Sequence, residues 1–374
     1  MKQNWIYKKI GEICDVKTGK LDANASDENG LYPFFTCSKE PLHINTFSYD
    51  AECILVAGNG DLNVKYYNGK FDAYQRTYII TLKHSVTNIS VKYLFCFFLL
   101  YVDALREKSI GGVIKYIKLG DITEAIVPVP PLADQSRIVA ELDLLQSIID
   151  KQKAQLKEYD TLAQSIFYDM FGDPVDNEKG WEMKKLGEVT TKIGSGATPK
   201  GGDASYISEG ISLIRSLNVY NGEFRYKDLA HINEDQANLL SGVTINNNDV
   251  LLNITGASVA RCCIVPNNII PARVNQHVAI IRVTNGVLPV FICYQLISKE
   301  YQTKLLADSR ANGATREALT KQYIENARVI LPPLPLQQKF AEKIEAIEQQ
   351  KTRISQSIAE AQKLFDYTMD KYFG

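Results

Sequence analysis

Long apolar runs are missing from this chain. The longest, Leu94 to Val102, spans nine residues, whereas a helix that crosses a bilayer needs about 20. The N-terminus, MKQNWIYKKIGE, has no apolar core of a secretory signal, so no membrane association is expected. Histidine is scarce, and His43, His84, His231 and His277 show no metal-ligand spacing. The seven cysteines are odd in number and include no C-x-x-C pair. That pattern argues against a zinc site and a disulfide framework, and for a reducing, cytoplasmic location. Adjacent Cys262 and Cys263 lie in an apolar stretch and read as buried thiols. A dominant charge is lacking too: the net charge of −1 gives no general attraction to a polyanion. No G-x-x-x-x-G-K-S/T loop, no Asn- or Asp-Pro-Pro-aromatic motif and no Asp…Glu-x-Lys cluster occurs. A P-loop ATPase, an adenine methyltransferase and a nuclease of that type are therefore unsupported. VAGNGD at 56–61 has the glycine spacing of a methyl-donor loop, but no helical pattern follows it. LNVKYYNGK reads as a hairpin, and a tight turn is the preferred reading of the glycines.

What is present is a duplication. Residues 130–138 read PPLADQSRI and 332–340 read PPLPLQQKF; each opens a stretch that ends in Phe-Gly, at Phe171-Gly172 and Phe373-Gly374. Both landmarks are 202 residues apart. Trp5 opens WIYKKIGE and Trp181 opens WEMKKLGE, 176 apart. Between them, Asp50 to Gly58 resembles Asp249 to Gly256, Gln75 matches Gln276, and Gly111 matches Gly313. The offset reaches 199 by Asp50, so the 23 additional residues of the second copy fall before Asp249. Four segments follow: globular modules at 1–131 and 173–333, and helical stretches at 132–172 and 334–374. The modules hold 15 basic and 14 acidic residues, and 17 and 16; the helices hold 4 and 7, and 6 and 6. A DNA-binding surface must then be a patch made by folding, or be completed by a more basic partner.

The helical stretches carry a heptad seam. In the first it is Ile138, Leu142, Leu145, Ile149, Gln152, Leu156, Tyr159, Ala163 and Ile166. In the second it is Phe340, Ile344, Ile347, Lys351, Ile354, Ile358, Ala361, Phe365 and Thr368. Alternation by four and three residues predicts paired coiled-coil helices, each a rod of roughly 55 Å. The polar breaks Gln152 and Lys351 lie near mid-rod, where such residues set register. Because the first helix leads into the second module and the second leaves it, the pairing must be antiparallel. An approximate twofold with a module at each end is expected.

The modules themselves are mixed. Strand patterns lie at 52–57, 77–82, 249–254 and 278–283, and helical patterns at about 90–108 and 289–308, an α+β class. Side chains suited to base edges cluster near turns and strand ends. In module 1 they are Lys39, Asn59, Gln75, Arg76, Lys115 and Tyr116. In module 2 they are Thr198, Lys200, Arg215, Asn218, Arg261, Asn275, Gln276, Thr315 and Arg316. Module 2 has eight arginines and module 1 has two, which tilts module 2 toward guanine.

In these residues the chain resembles the specificity subunits of type I restriction–modification systems. The resemblance rests on W-x-x-K-K-I/L-G-E, on YPFF with CS at 32–38, and on AGNGD and YQRTYII in module 1. In module 2 it rests on G-x-G-x-T-P at 194–199, LIRSLNV, LLNITGAS and NQHVAI, and in both on PPL-x-x-Q leading into a coil. It covers essentially the whole chain, whose order begins directly with a recognition domain. It implies two target recognition domains, each reading half of a bipartite, asymmetric site in double-stranded DNA. It implies antiparallel helices that set the unread gap and dock two modification (methyltransferase) subunits. Gln135, Arg137, Gln337 and Lys339 at the helix starts are the implied partner contacts. The chain itself would hold no cofactor and no metal. S-adenosylmethionine would belong to the modification subunits, and ATP with Mg to two restriction subunits that can join. An enzyme with an unrecognised site and a protein-binding scaffold are the alternatives.

Overall fold

Each Pro-Pro-Leu turn starts a 40-residue helix, Leu132–Phe171 and Leu334–Phe373, in a computed structural model that describes residues 5–311 and 318–374. Proline suits the start of a helix because the first turn leaves its N–H groups unpaired anyway. The Pro131 carbonyl accepts from the Asp134 and Gln135 N–H groups, and Pro333 does the same for Leu336 and Gln337. By packing, the chain divides into two units, Met1–Ala154 with Ile354–Gly374, and Gln155–Arg353.

Unit 1 is built on a six-stranded sheet. Its spatial order is Cys14–Thr18, Thr77–Leu82, Tyr49–Ala57, Val64–Ala73, Tyr32–Phe35 and Leu42–Ile44. Neighbours are antiparallel except Phe34–Phe35, which runs parallel to Asp72–Ala73. Cys53 to Val56 are all buried. Ile54 and Val56 face the helix Val91–Lys108, while Cys53 and Leu55 join a second cluster with Phe35 and Phe71. Burial on both faces is why this strand reads as an unbroken apolar run. LNVKYYNGK is not a hairpin by itself. Most of it is one arm, Val64–Ala73, paired with Tyr49–Ala57 from Val56↔Val64 onward. A two-stranded ladder of Ile6–Lys9 with Ile126–Val129 closes the module next to the helix start.

Unit 2 repeats this order. Thr190–Ser195, Val278–Val283, Val250–Asn253 and Cys262–Ile264 form a four-stranded sheet. Ala230–Ile232, Ile211–Ile214 and Ala272–Val274 form a three-stranded one, and Met183–Lys185 pairs with Arg328–Ile330. The single strand Val64–Ala73 of unit 1 corresponds to two strands here, separated by the segment with the cis Ile270-Pro271 bond. Much of the added length is the helix Glu234–Leu239 and the turn Ser241–Val243, which lie between Ala230–Ile232 and Val250–Asn253. The helical pattern at 289–308 is two helices, Pro289–Leu296 and Lys299–Ala311. Ser298 separates them: its hydroxyl donates back to Gln295 O, and its carbonyl accepts the Gln302 N–H of the next helix.

No predicted seam residue is exposed, and within each unit the helices pair antiparallel. In unit 1, Ile138 and Leu142 share a core with Met369 and Tyr372, and Gln152 Nε2 donates to Ser357 Oγ at 2.7 Å. In unit 2, Lys351 Nζ lies 2.8 Å from Asp160 and 2.9 Å from Glu348. Burial opposes the Lys351 charge, but hydrogen bonds to both carboxylates outweigh it and hold its pKa above the ordinary value. The seam departs from strict heptads at the end of the first helix. Ile166 is only half-buried, while Ala163, Phe167 and Phe171 are fully buried. There the helix leaves its partner's seam for the globular core, and an untwisted helix repeats closer to 3.6 than 3.5 residues.

Phe340 packs against Phe167, Phe171 and Tyr294 with ring centroids 5.7, 5.4 and 5.3 Å away. Phe340→Ala should destabilise unit 2 by about 3–5 kcal/mol through the cavity it leaves. Lys351→Met should be close to neutral, because the methionine fills the partly buried site without the cost of burying a charge, while the carboxylates it leaves, Asp160 and Glu348, are 64% and 46% exposed and stay solvated. Urea unfolding of the two variants checks both.

Candidate nucleic-acid interface

In unit 1 four loops are tied into one rim. The Gly58 N–H donates to Arg76 O, the Gly60 N–H to Lys115 O, and the Ile117 N–H to Gly58 O. Asn63 Nδ2 donates to Cys37 O at 2.8 Å, which brings in the loop of Lys39. A Cβ at Gly58 would meet Arg76 O at 2.3 Å. The glycines of VAGNGD thus serve a tight hairpin turn and a close backbone approach. All six residues singled out in module 1 lie on this rim. Lys39 is exposed and 3.6 Å from Asp61. Gln75, Arg76, Lys115 and Tyr116 are exposed, and Asn59 is half-buried and bridged through its backbone to Tyr116. Lys65 was missed. It points to the same rim through a bond to Asn63 Oδ1, and burial lowers its pKa. Its one sequence signal is a lysine just before two tyrosines, Tyr66 and Tyr67, in one strand.

Unit 2 places its residues less uniformly. Thr198 and Gln276 are exposed and hydrogen-bonded to each other, with exposed Lys200 two residues on. Arg261 and Arg225 stack on the Tyr220 ring at 4.4 and 3.3 Å from its centroid. Arg215 lies over Tyr206 at 5.2 Å, and its guanidinium also donates to Asp228 O. A cavity of about 510 Å³ is lined by Ser216, Tyr220, Thr255, Ser258, Arg261 and His277, among others. His277 Nδ1 is 2.6 Å from Thr255 Oγ1. Tyr220, Arg225 and His277 are additions to the residues read from sequence. His277 stands beside Gln276, whereas nothing in the local sequence marks Tyr220.

Several expected contact residues are internal. Asn218 is fully buried: its Oδ1 accepts the Arg215 N–H and its Nδ2 donates to Arg225 O. Asn275 is 8% exposed and accepts the His277 N–H. Both hold turns and present little to a ligand. Gln135 is also fully buried; it accepts the Ser90 N–H and donates to Asn88 O and Pro130 O. Gln337 likewise accepts the Leu288 N–H and donates to Pro332 O. Their polar groups are used inside the protein, so neither offers a surface to a partner. Arg137 is half-exposed, bonded to Tyr372 and Asp134, and Lys339 is exposed. Thr315 and Arg316 lie outside the described residues.

Six of the seven cysteines are buried and Cys37 is half-buried. Burial raises the thiols of Cys14, Cys53 and Cys96 to about 12, so they remain protonated and inert at neutral pH. Among the described residues no group of three or more His, Cys, Asp or Glu could hold a metal ion. None of their helices is long and apolar enough to cross a membrane.

The profile of the type I restriction modification DNA specificity domain matches residues 2–158 and 178–362. The specificity subunit of the type I restriction enzyme EcoDI from Escherichia coli is 40% identical over 157 residues, 41% of this chain and 34% of that protein. The EcoBI specificity subunit, also from Escherichia coli, is 24% identical over 276 residues, 66% of this chain and 56% of its own length. The chain therefore aligns with about a third and just over half of these two relatives. The crystal structure of a type I restriction-modification S subunit from M. genitalium has the same fold. Its TM-score is 0.58 at 15% identity, covering 99% of this chain and 96% of that one.

Buried turn-holders and exposed rim residues should separate by stability. Asn218→Ala leaves backbone groups unpaired and should lower unfolding stability by about 1–3 kcal/mol. Lys115→Ala should stay within about 0.5 kcal/mol of the parent. Thermal unfolding of the two variants makes the comparison.

Proposed function

This chain belongs to the type I restriction–modification DNA specificity family, and from that premise we propose that it is the non-catalytic, DNA-reading subunit of such a complex. Residues 1–131 and 173–333 act as target recognition domains, each reading one half of a bipartite, asymmetric site. Residues 132–172 and 334–374 act as spacers that set the unread gap. The helices also dock two modification subunits, and Arg137 and Lys339 remain exposed for that role. Those subunits use S-adenosylmethionine to methylate adenine, and two ATP- and Mg-dependent restriction subunits can join them. The site of action is the cytoplasm.

The observation that carries this reading is one strand order used twice under different rims. Lys39, Asn59, Arg76 and Lys115 crown unit 1; Thr198, Gln276, Arg261 and His277 crown unit 2. An asymmetric site needs a common frame with different base-edge contacts in each half. Near-neutral net charge suits a reader whose partner supplies much of the phosphate contact.

The purified chain should show neither methyl transfer nor cleavage. Sequencing of methylated DNA from a host carrying the operon, with and without this gene, should show a bipartite adenine-methylation pattern that depends on it. An unchanged pattern sinks the proposal. Removing Arg76, Arg215 and Arg261 together should abolish the specific pattern; its retention favours a scaffold that does not read DNA.

Adding one heptad to each long helix lengthens it by about 10 Å. The unread gap should grow by roughly three base pairs at 3.4 Å each, with both half-sites unchanged. Altered half-sites would refute the role in spacing.

A further inference from the structure

The tip of one rim loop in unit 1 holds apolar side chains in water. Val113 is 104% exposed and Ile114 62% exposed. The loop is tightly held. Ile110 and Tyr116 exchange backbone hydrogen bonds of 3.0 and 2.8 Å, and Lys115 O accepts the Gly60 N–H at 2.9 Å. Gly111 turns the chain at φ +124°, where an added Cβ would meet Ile114 O at 2.5 Å. The tip is thus built to present Val113 and Ile114 outward. Apolar surface in water is unfavourable unless something covers it. Beside the tip, Lys115 and Arg76 are exposed and make no ion pair with a described residue.

We propose that Val113 and Ile114 read thymine, by packing on its 5-methyl group in the major groove of the half-site bound by unit 1; the inference rests on the function proposed above. The adjoining cations favour a polyanion over a neutral protein surface. On duplex DNA, the apolar feature of a base edge is the thymine methyl in the major groove. A wedge between base pairs would have to unstack them, whereas methyl contact leaves the duplex as it is. At the matching positions of the second repeat the sequence has Thr315 and Arg316, so the device belongs to one half-site alone.

The test uses the complex with its modification subunit and the duplex found by methylation mapping. Each thymine of the first half-site is replaced in turn by uracil, which deletes the methyl and keeps the pairing edge. At one or two positions the parent complex should lose about fourfold in affinity, equivalent to about 0.8 kcal/mol. Val113→Ser/Ile114→Ser should lose a similar factor on the thymine duplex and be insensitive to uracil there. Both side chains are exposed, and unchanged recognition of the second half-site reports that the variant is folded. The proposal is overturned if no uracil matters to the parent, if the variant stays equally sensitive, or if the half-site has no thymine. It is also overturned if the variant loses subunit assembly while its uracil response is unchanged, which assigns the tip to a protein contact. A parent complex with no sequence-specific binding at all would instead count against the DNA-reading function itself.

Discussion

Phe340 sits where a helix of the coil and a globular core become one apolar body. Its ring meets Phe167 and Phe171 of the first long helix and Tyr294 of the module behind it. Unit 1 has its own version, in which Tyr372 of the second helix stacks on Trp5 and Phe373 packs at a tilt against Tyr93. The helices are therefore anchored in the cores by large rigid side chains and not by loops. Buried Gln135 and Gln337 complete each junction by pairing the backbone groups that the helix start and the neighbouring helix leave open. Every loop on the rims takes its position from a sheet seated on such a junction.

That arrangement separates what must be kept from what can vary. Sheet order and the junction with the long helices recur in both units, while the loops beyond the strand ends differ in length and side chain. Added length in unit 2 goes mainly into a helix and a turn at the sheet margin, which leaves Val250–Asn253 and Val278–Val283 paired without a break. A reader of two unlike half-sites needs this division, since base-edge contacts depend on a few side chains and their placement on the whole frame.

Much of the frame was legible because it is periodic. Seam positions repeated every three and four residues, and all are buried or half-buried in the fold. The central strands were legible as unbroken apolar runs. Beyond Ala163 the most buried positions shift to Phe167 and Phe171 because they face a globular core that lies far along the chain. The break at Ser298 was also invisible, since serine is tolerated in a helix and the nearby apolar positions continue across it.

The candidate interface was legible in part. Exposed Lys39, Arg76, Lys115 and Gln276 lie on rims, at the turns and strand ends from which they were read. Asn218, Asn275, Gln135 and Gln337 do not, although they carry the same amide as Gln276. An amide can bond a base edge or an orphan backbone group, and only its burial tells the two apart. The sequence by itself determined the duplication, the helix boundaries at the proline pairs and the seam, because each is a matter of order and spacing along the chain. Tertiary structure alone decided which polar side chains are internal supports and which face outward. It also joined the Val113–Ile114 tip to the rim of Arg76, because hydrogen bonds between segments distant in sequence set those positions.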